Sequence, residues 1–185
     1  FGVPLEDVTS QQRREAKAVN FGIIYGISGF GLAENLDISR VKAKSFIDNY
    51  FISHPKVKEF MNSCVESARK TEKAVTMYGR IRNLQDINSS NYMVRNSVER
   101  MAMNTPVQGS AADIIKLAMI GVENRLKDKK SKMILQIHDE LVIDTAPDEK
   151  EEVMKILQEE MEHAAELKVP LVAEAGCGNN WGELK

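Results

Sequence analysis

The sequence has few of the residues that mark a disulfide-stabilised, zinc-binding or membrane-spanning chain. Its 185 residues include two cysteines, Cys64 and Cys177, which lie far apart and outside any Cys-x-x-Cys pair. This spacing argues against disulfide scaffolds and zinc ribbons and favours a reducing compartment. No apolar run approaches the roughly 20 residues that a membrane-spanning helix needs, and the amino end lacks a signal-peptide pattern. We therefore expect a soluble cytoplasmic protein with no membrane contact, and the start at Phe1 suggests a piece of a longer chain.

A net charge of −2, from 25 Lys and Arg against 27 Asp and Glu, argues by itself against a nucleic-acid-binding protein. The charge is unevenly distributed, however. Residues 51–100 hold nine basic against five acidic side chains, whereas residues 151–185 hold three against eight. Because the middle of the chain is basic and the tail is acidic, a nucleic-acid-binding face is possible in spite of the negative net charge.

Hydrophobic periodicity predicts an α+β chain that is mostly helical, with a helical lobe over 1–88 and a second portion over 89–185. In the first lobe we expect helices at residues 9–27, 31–36, 40–51 and 55–71, and a small hairpin or loop at residues 74–84. In the second portion we expect a long helix over residues 90–127, bent near Pro106 and Gly109. A hairpin over 132–145, a helix over 148–167 and a strand over 171–175 should follow it.

The first predicted helix carries a charged and aromatic face. At about 100° per residue, four side chains share that face: Arg13, Lys17, Phe21 and Tyr25. Arg13 and Lys17 are about 6 Å apart along the axis, a spacing suited to successive phosphates, and Phe21 offers a ring to a base or sugar. Alternatively, the face is simply solvated and its rings are tucked into the core.

The segment from Arg13 to Gly26, RREAKAVNFGIIYG, closely resembles the fingers-helix motif of the bacterial DNA polymerase I family, the A-family DNA polymerases. The resemblance implies that Arg13 and Lys17 bind the incoming dNTP. It also implies that Phe21 packs on the nucleotide and that Tyr25 lies beside the templating base. The chain then corresponds to a helical fingers lobe followed by the carboxyl-terminal part of the palm.

A second row, Arg100, Asn104 and Gln108, recurs every fourth residue and consists of hydrogen-bond donors. Every base pair shows acceptors at nearly the same minor-groove positions, so a row of donors can check pairing without reading sequence. The alternative is that these side chains cap or join helices around Pro106. The surrounding segment is again similar to the polymerase family, which implies that the three residues contact primer-template DNA.

A third pattern, His138-Asp139-Glu140, places two acids between short apolar runs, where a hairpin tip usually has glycine or asparagine. Adjacent carboxylates on a rigid turn suit Mg²⁺, although a solvated turn is the simpler alternative. The string resembles the palm motif of the family, which implies that Asp139 is a metal ligand. By the same resemblance, Glu140 and His138 support the site near the primer end, His138 in contact with DNA.

These patterns together predict a fragment of a DNA-directed DNA polymerase. The candidate catalytic residues are Asp139, Glu140 and Lys17, and the expected cofactor is Mg²⁺, with two ions in the complete enzyme. The expected partners are primer-template DNA and dNTPs, and the protein is expected to be a monomer in the bacterial cytoplasm, associated with the nucleoid. The family's second metal aspartate comes from a strand before Arg13, so we expect the fragment alone to be inactive.

Two alternatives stay open from the sequence: a single-subunit RNA polymerase relative and a non-catalytic helical module that binds nucleic acid. The chain also departs from the family pattern. Relatives usually carry an aromatic residue and a proline in the loop after the Gly79-Arg80 pair, but residues 81–86 of this chain read IRNLQD.

Overall fold

The computed structural model describes residues 2–184 and divides into two compact units, the first ending at Val107 and the second beginning at Gln108. The predicted boundary lay instead between residues 88 and 89. It differs because the helix that follows, Tyr92–Asn104, shares a hydrophobic cluster with the preceding helix Pro55–Thr71.

The mostly helical α+β class is confirmed. The first unit is mainly helical, with a small hairpin between α4 and α5 in the chain: α1 Ser10–Ile24, α2 Gly29–Leu36, α3 Arg40–Ser53, α4 Pro55–Thr71, β1 Lys73–Val75, β2 Ile81–Asn83 and α5 Tyr92–Asn104. In the second unit, two helices flank a hairpin: α6 Ser110–Leu126, β3 Lys132–Ile137, β4 Glu140–Asp144 and α7 Lys150–Glu162.

Local capping chemistry sets where the helices of the first unit begin. Thr9 and Gln12 form a capping box, in which the Gln12 amide donates to Thr9 Oγ1 at 3.2 Å and the Thr9 amide donates to Gln12 Oε1 at 2.9 Å. Ser28 and Ser39 cap α2 and α3 by accepting backbone amides, and Pro55 occupies the first turn of α4. The predicted starts of α1 and α4, at about residues 9 and 55, are therefore confirmed.

Two clusters form the core of the first unit. One packs the inner side of α1 on α2 and α3, around the buried residues Leu32, Ala33 and Ala43. The other joins α4, β1 and α5, around Ala68, Ala74, Leu84, Ile87, Val98 and Ala102. The segment at 74–84, which the sequence leaves as a hairpin or a loop, is a hairpin because Ala74 is buried in this cluster and anchors it.

In the second unit, the sheet is the antiparallel pair β3–β4, whose two-residue loop is His138-Asp139. A register irregularity between Met133 and Leu135 interrupts the pairing. Leu141 of β4 packs with residues of α6 and α7, including Val122 and Ile156, to form the core of this unit.

The break expected at Pro106 is a five-residue π-helical turn, Thr105–Gly109, between α5 and α6. The Thr105 hydroxyl donates to the carbonyl oxygen of Met101 at 2.6 Å. Proline lacks the amide hydrogen needed to continue the regular ladder, so the helix widens at this point instead of stopping.

The tail of the second unit requires two corrections. The helix expected over 148–167 is shorter, because a 3₁₀ turn at Pro147–Glu149 precedes α7 and α7 ends at Glu162. The segment 171–175 has no regular secondary structure and is not a β-strand, although alternate residues are partly buried. A strand needs a neighbouring strand for its backbone hydrogen bonds. Here the Ala173 amide instead donates to the Glu162 side chain at 3.2 Å.

Among the helices of residues 2–184, none is long and apolar enough to cross a bilayer.

Candidate nucleotide and nucleic-acid site

The outer face of α1 presents all four predicted side chains to solvent. Arg13 and Lys17 are exposed, and the rings of Phe21 and Tyr25 are 56% and 46% exposed. The two rings are stacked, with centroids 6.4 Å apart and planes inclined by 15°. The alternative that places these rings in the core is therefore wrong. The face combines two cations with a continuous aromatic surface, a combination that suits a charged, flat ligand.

The opposite side of α1 explains why this face points outward. Ile23 is buried, and Val19 and Ile27 pack against the cluster of α2 and α3. Since apolar burial fixes the rotation of the helix about its axis, the Arg13–Tyr25 row is held at the surface.

The carboxyl end of α1 is a Schellman motif, so the helix stops at Ile24 and not at Ile27 as the sequence predicts. The Ile27 amide donates to the Gly22 carbonyl at 2.8 Å, and the Gly26 amide donates to the Ile23 carbonyl at 2.9 Å. Gly26 has a φ of 74°, the left-handed conformation that this motif requires. Tyr25 therefore lies at the helix cap, where the turn fixes its backbone.

Gly26 also brings this turn against α5. A Cβ on Gly26 would lie 2.9 Å from Met103 Cε and 3.1 Å from Arg100 Cγ, closer than ordinary contacts allow. Arg100, the first residue of the second row, thus lies next to the Tyr25-Gly26 turn within the first unit. The sequence pattern alone does not reveal that α5 is the neighbour of Gly26.

The donors of the second row lack partners in the described part of the chain. Between residues 2 and 184, the side chains of Arg100, Asn104 and Gln108 form no hydrogen bond, and Arg100 Nε is buried as well as unpaired. A buried unpaired donor costs about 1–3 kcal/mol. The alternative that these side chains cap or join helices has no support in residues 2–184.

The carboxylate turn is a tight hairpin loop with an unusual backbone. His138 has a φ of 53°, a conformation uncommon for residues other than glycine, and the Gln136 side-chain amide donates to the His138 carbonyl at 2.6 Å. His138, Asp139 and Glu140 are all exposed. Glu140 pairs with Ile137 and therefore begins β4 rather than extending the loop. Sequence reasoning missed the bracing role of Gln136.

A hydrogen-bonded carboxylate secures the far end of the same hairpin. Glu149 accepts the Ser131 hydroxyl at 2.6 Å and the backbone amides of Ser131 and Lys130 at 2.9 and 3.1 Å. The Ser131 hydroxyl, followed by these amides, lowers the pKa of Glu149 to about 2. The hairpin is thus fixed to the segment before α7 by a group that stays ionised at neutral pH.

The described residues do not by themselves enclose a metal ion. No group of three or more His, Cys, Asp or Glu side chains at metal-binding distance occurs within residues 2–184. Asp139 nevertheless offers an exposed carboxylate, and Mg²⁺ is commonly held by one or two carboxylates together with water and phosphate oxygens. The residues present therefore fit one side of a magnesium site.

Comparison with known proteins agrees with the motifs. The family model described as DNA polymerase family A matches residues 1–183. DNA polymerase I of Caldicellulosiruptor bescii is 52% identical over the whole of this chain and 22% of its own length. DNA polymerase I of Bacillus caldotenax is 48% identical, again over the whole chain and 21% of its own length. The chain therefore spans about a fifth of these curated relatives.

A solved structure gives the same result for the fold. The POL domain of Pol1 from M. smegmatis, in complex with DNA primer-template and dNTP, superposes with a TM-score of 0.88 and is 43% identical. The match covers 92% of this chain and 30% of that one. The chain belongs to DNA polymerase family A.

Proposed function

We propose that the protein is a template-directed DNA polymerase that adds deoxynucleoside triphosphates to a primer 3′ end with Mg²⁺. The observation that carries the proposal is the exposed row on α1, in which two cations precede two stacked rings. Arg13 and Lys17 bind the triphosphate, Phe21 packs on the nucleotide sugar and base, and Tyr25 lies beside the templating base.

Arg100 and Asn104 extend the same surface toward DNA. Arg100 lies next to the Tyr25-Gly26 turn, and the terminal nitrogens of its guanidinium can donate to a minor-groove acceptor. Gln108 and His138 contact the primer-template as further polar groups. Because purine N3 and pyrimidine O2 occupy nearly the same places in all base pairs, these donors favour correct pairing without selecting a sequence.

Asp139, on the braced turn, is the residue that would hold Mg²⁺. When bound, Mg²⁺ activates the attacking primer hydroxyl and stabilises charge on the leaving phosphate. Glu140 orders the turn beside it, and Lys17 neutralises charge on the triphosphate. In the full-length protein, the triphosphate oxygens and a further carboxylate would hold the ion together with Asp139. The protein acts as a monomer at the bacterial nucleoid.

The test is single-nucleotide addition by the full-length protein on primer-templates with each of the four template bases. We expect extension only with Mg²⁺ and only by the complementary dNTP. Preferential use of ribonucleotides would favour an RNA polymerase relative. Retention of DNA that does not depend on Mg²⁺, with no addition of any nucleotide, would indicate a non-catalytic binding module.

A further inference from the structure

The β1–β2 hairpin exposes apolar side chains that the core does not use. On its outer face and at its tip, Val75, Met77, Tyr78 and Ile81 are 46%, 55%, 45% and 57% exposed. Tyr78 is the only aromatic residue between Lys73 and Asn83. Lys73 lies on the same outer face, whereas Arg82 pairs with the inward-facing Ala74 and projects from the other face of β2, where it is exposed. We call the four apolar residues and these two cations the hairpin surface.

The hairpin surface is held in a fixed shape. Val75 pairs with Ile81 across the two strands, and the inward-facing Ala74 is buried in the cluster of α4 and α5. At the tip, the Gly79 amide donates to the Thr76 carbonyl at 3.0 Å, and Gly79 adopts a φ of 80°. A rigid surface loses little conformational entropy when it binds a partner.

The charge near this surface favours an anionic partner. Between Lys70 and Arg82 the chain has four cations, Lys70, Lys73, Arg80 and Arg82, and one acid, Glu72. The side chains of Lys73 and Arg82 are exposed and form no ion pair or hydrogen bond with any residue between 2 and 184. They are therefore available to phosphate groups.

We infer that the hairpin surface binds an unpaired nucleic-acid strand, with bases on Tyr78 and its apolar neighbours, one phosphate on Lys73 of the same face and another on Arg82, which is reached past the edge of β2. Single-stranded DNA exposes the faces of its bases, which stack on aromatic side chains, whereas a duplex hides them and offers phosphates and groove edges. A duplex would leave Tyr78 and Ile81 with nothing apolar to contact. The inference rests on the proposed function, in which this strand is the unpaired part of the template.

The test measures binding of the full-length protein to two fluorescent DNAs with the same duplex, one blunt and one with a 5′ template overhang of about 10 nucleotides. Divalent ions are chelated and dNTPs are absent, so catalysis does not contribute. The variants are Tyr78→Ala and the double substitution Lys73→Ala with Arg82→Ala. Matched controls are Phe60→Ala on α4, where Phe60 is 44% exposed, and Lys44→Ala with Lys56→Ala, whose side chains are 75% and 87% exposed.

We expect Tyr78→Ala to weaken binding of the overhang DNA by about fivefold or more. The double substitution should weaken it too and lower the slope of log affinity against log salt by about 0.7 for each cation removed. Binding of the blunt DNA and all the control variants should be unchanged.

Three results would overturn the inference. They are unchanged binding of the overhang DNA, equal losses on both DNAs, and a fall in melting temperature for Tyr78→Ala that Phe60→Ala does not show. The last result would mean that another part of the protein covers the hairpin. If the wild-type protein extends primers but the hairpin variants bind normally, only this inference fails. If the wild-type protein binds neither DNA, the proposed function fails as well.

Discussion

Gly26 lies directly against Arg100, since a Cβ at Gly26 would come within 3.1 Å of Arg100 Cγ. Through this contact, the turn that carries Tyr25 and the helix that carries the donor row form one surface in the first unit. The absence of a side chain at Gly26 serves both the left-handed turn and the approach of α5.

We predict that Gly26→Ala destabilises the protein and weakens dNTP binding together. A left-handed conformation costs an alanine about 1–2 kcal/mol, and the new methyl group also meets Met103 Cε at 2.9 Å. Urea denaturation and dNTP titration of the full-length protein check the prediction. Adding Met103→Ala should restore part of the stability, because it removes the nearer of the two contacts.

Gly29→Ala is the matched control, since a Cβ at Gly29 has nothing within 4 Å. If Gly26→Ala and Gly29→Ala had equal effects on stability and dNTP binding, the contact between Gly26 and α5 would have no role in the site.

We predict that Lys17→Ala raises the KM for dNTP by about 10- to 100-fold with little loss of DNA affinity. A charge-assisted hydrogen bond contributes about 1.5–3 kcal/mol, and this one is directed at the triphosphate. Steady-state kinetics and DNA titration separate the two effects. Arg14→Ala is the control, because Arg14 is also exposed on α1 but its guanidinium is hydrogen-bonded to the Gln11 side chain. Equal effects of the two substitutions would contradict the assignment of Lys17.

We predict that Glu149→Gln lowers the stability of the protein at neutral pH and reduces the loss of stability on acidification. The folded pKa of Glu149, about 2, lies below its ordinary value of 4.5. The carboxylate therefore stabilises the fold fully above pH 4.5, and this contribution is lost as the pH falls toward 2. Urea midpoints measured between neutral and acidic pH should converge for the two proteins on acidification. If the urea midpoints of the two proteins instead changed in parallel with pH, the ionised Glu149 carboxylate would have no preferred contacts in the folded state.

We predict that a polypeptide of these 185 residues alone does not extend a primer. Asp139 offers one carboxylate, and residues 2–184 include no three-ligand group for a metal ion. Primer-extension assays with Mg²⁺ test this, and circular dichroism shows whether the polypeptide is folded. Extension above background by the purified polypeptide would mean that one carboxylate suffices.

Sequence patterns predicted α1, α3, α4 and the β3–β4 hairpin to within a few residues, because local signals decide them. Apolar residues at helical spacing turn the Arg13–Tyr25 row outward, and Thr9 and Pro55 begin helices through local hydrogen bonding and a fixed φ. Similarly, the turn at His138-Asp139 follows from its position between two apolar runs.

The remaining features depend on distant neighbours, which periodicity does not reveal. Gly26 reads as a helix interior until Met103 and Arg100 are seen beside it. The residues of 171–175 have the alternation of a strand, yet the Ala173 amide bonds to the side chain of Glu162 instead of to a neighbouring strand. Likewise, the bond from the Gln136 amide to the His138 carbonyl depends on how the loop closes.

The most direct test of the proposed function compares Asp139→Asn with Asp144→Asn in the full-length protein. Both residues are exposed carboxylates on the β3–β4 hairpin, but only Asp139 lies in the loop at its tip. We expect Asp139→Asn to reduce Mg²⁺-dependent nucleotide addition by about 1,000-fold or more, because a metal ion supplies several kcal/mol of charge stabilisation, and to leave melting temperature and primer-template affinity unchanged. Asp144→Asn should retain wild-type addition. Wild-type addition by Asp139→Asn, or an equal loss in both variants, would contradict the assignment of Asp139 as the metal ligand.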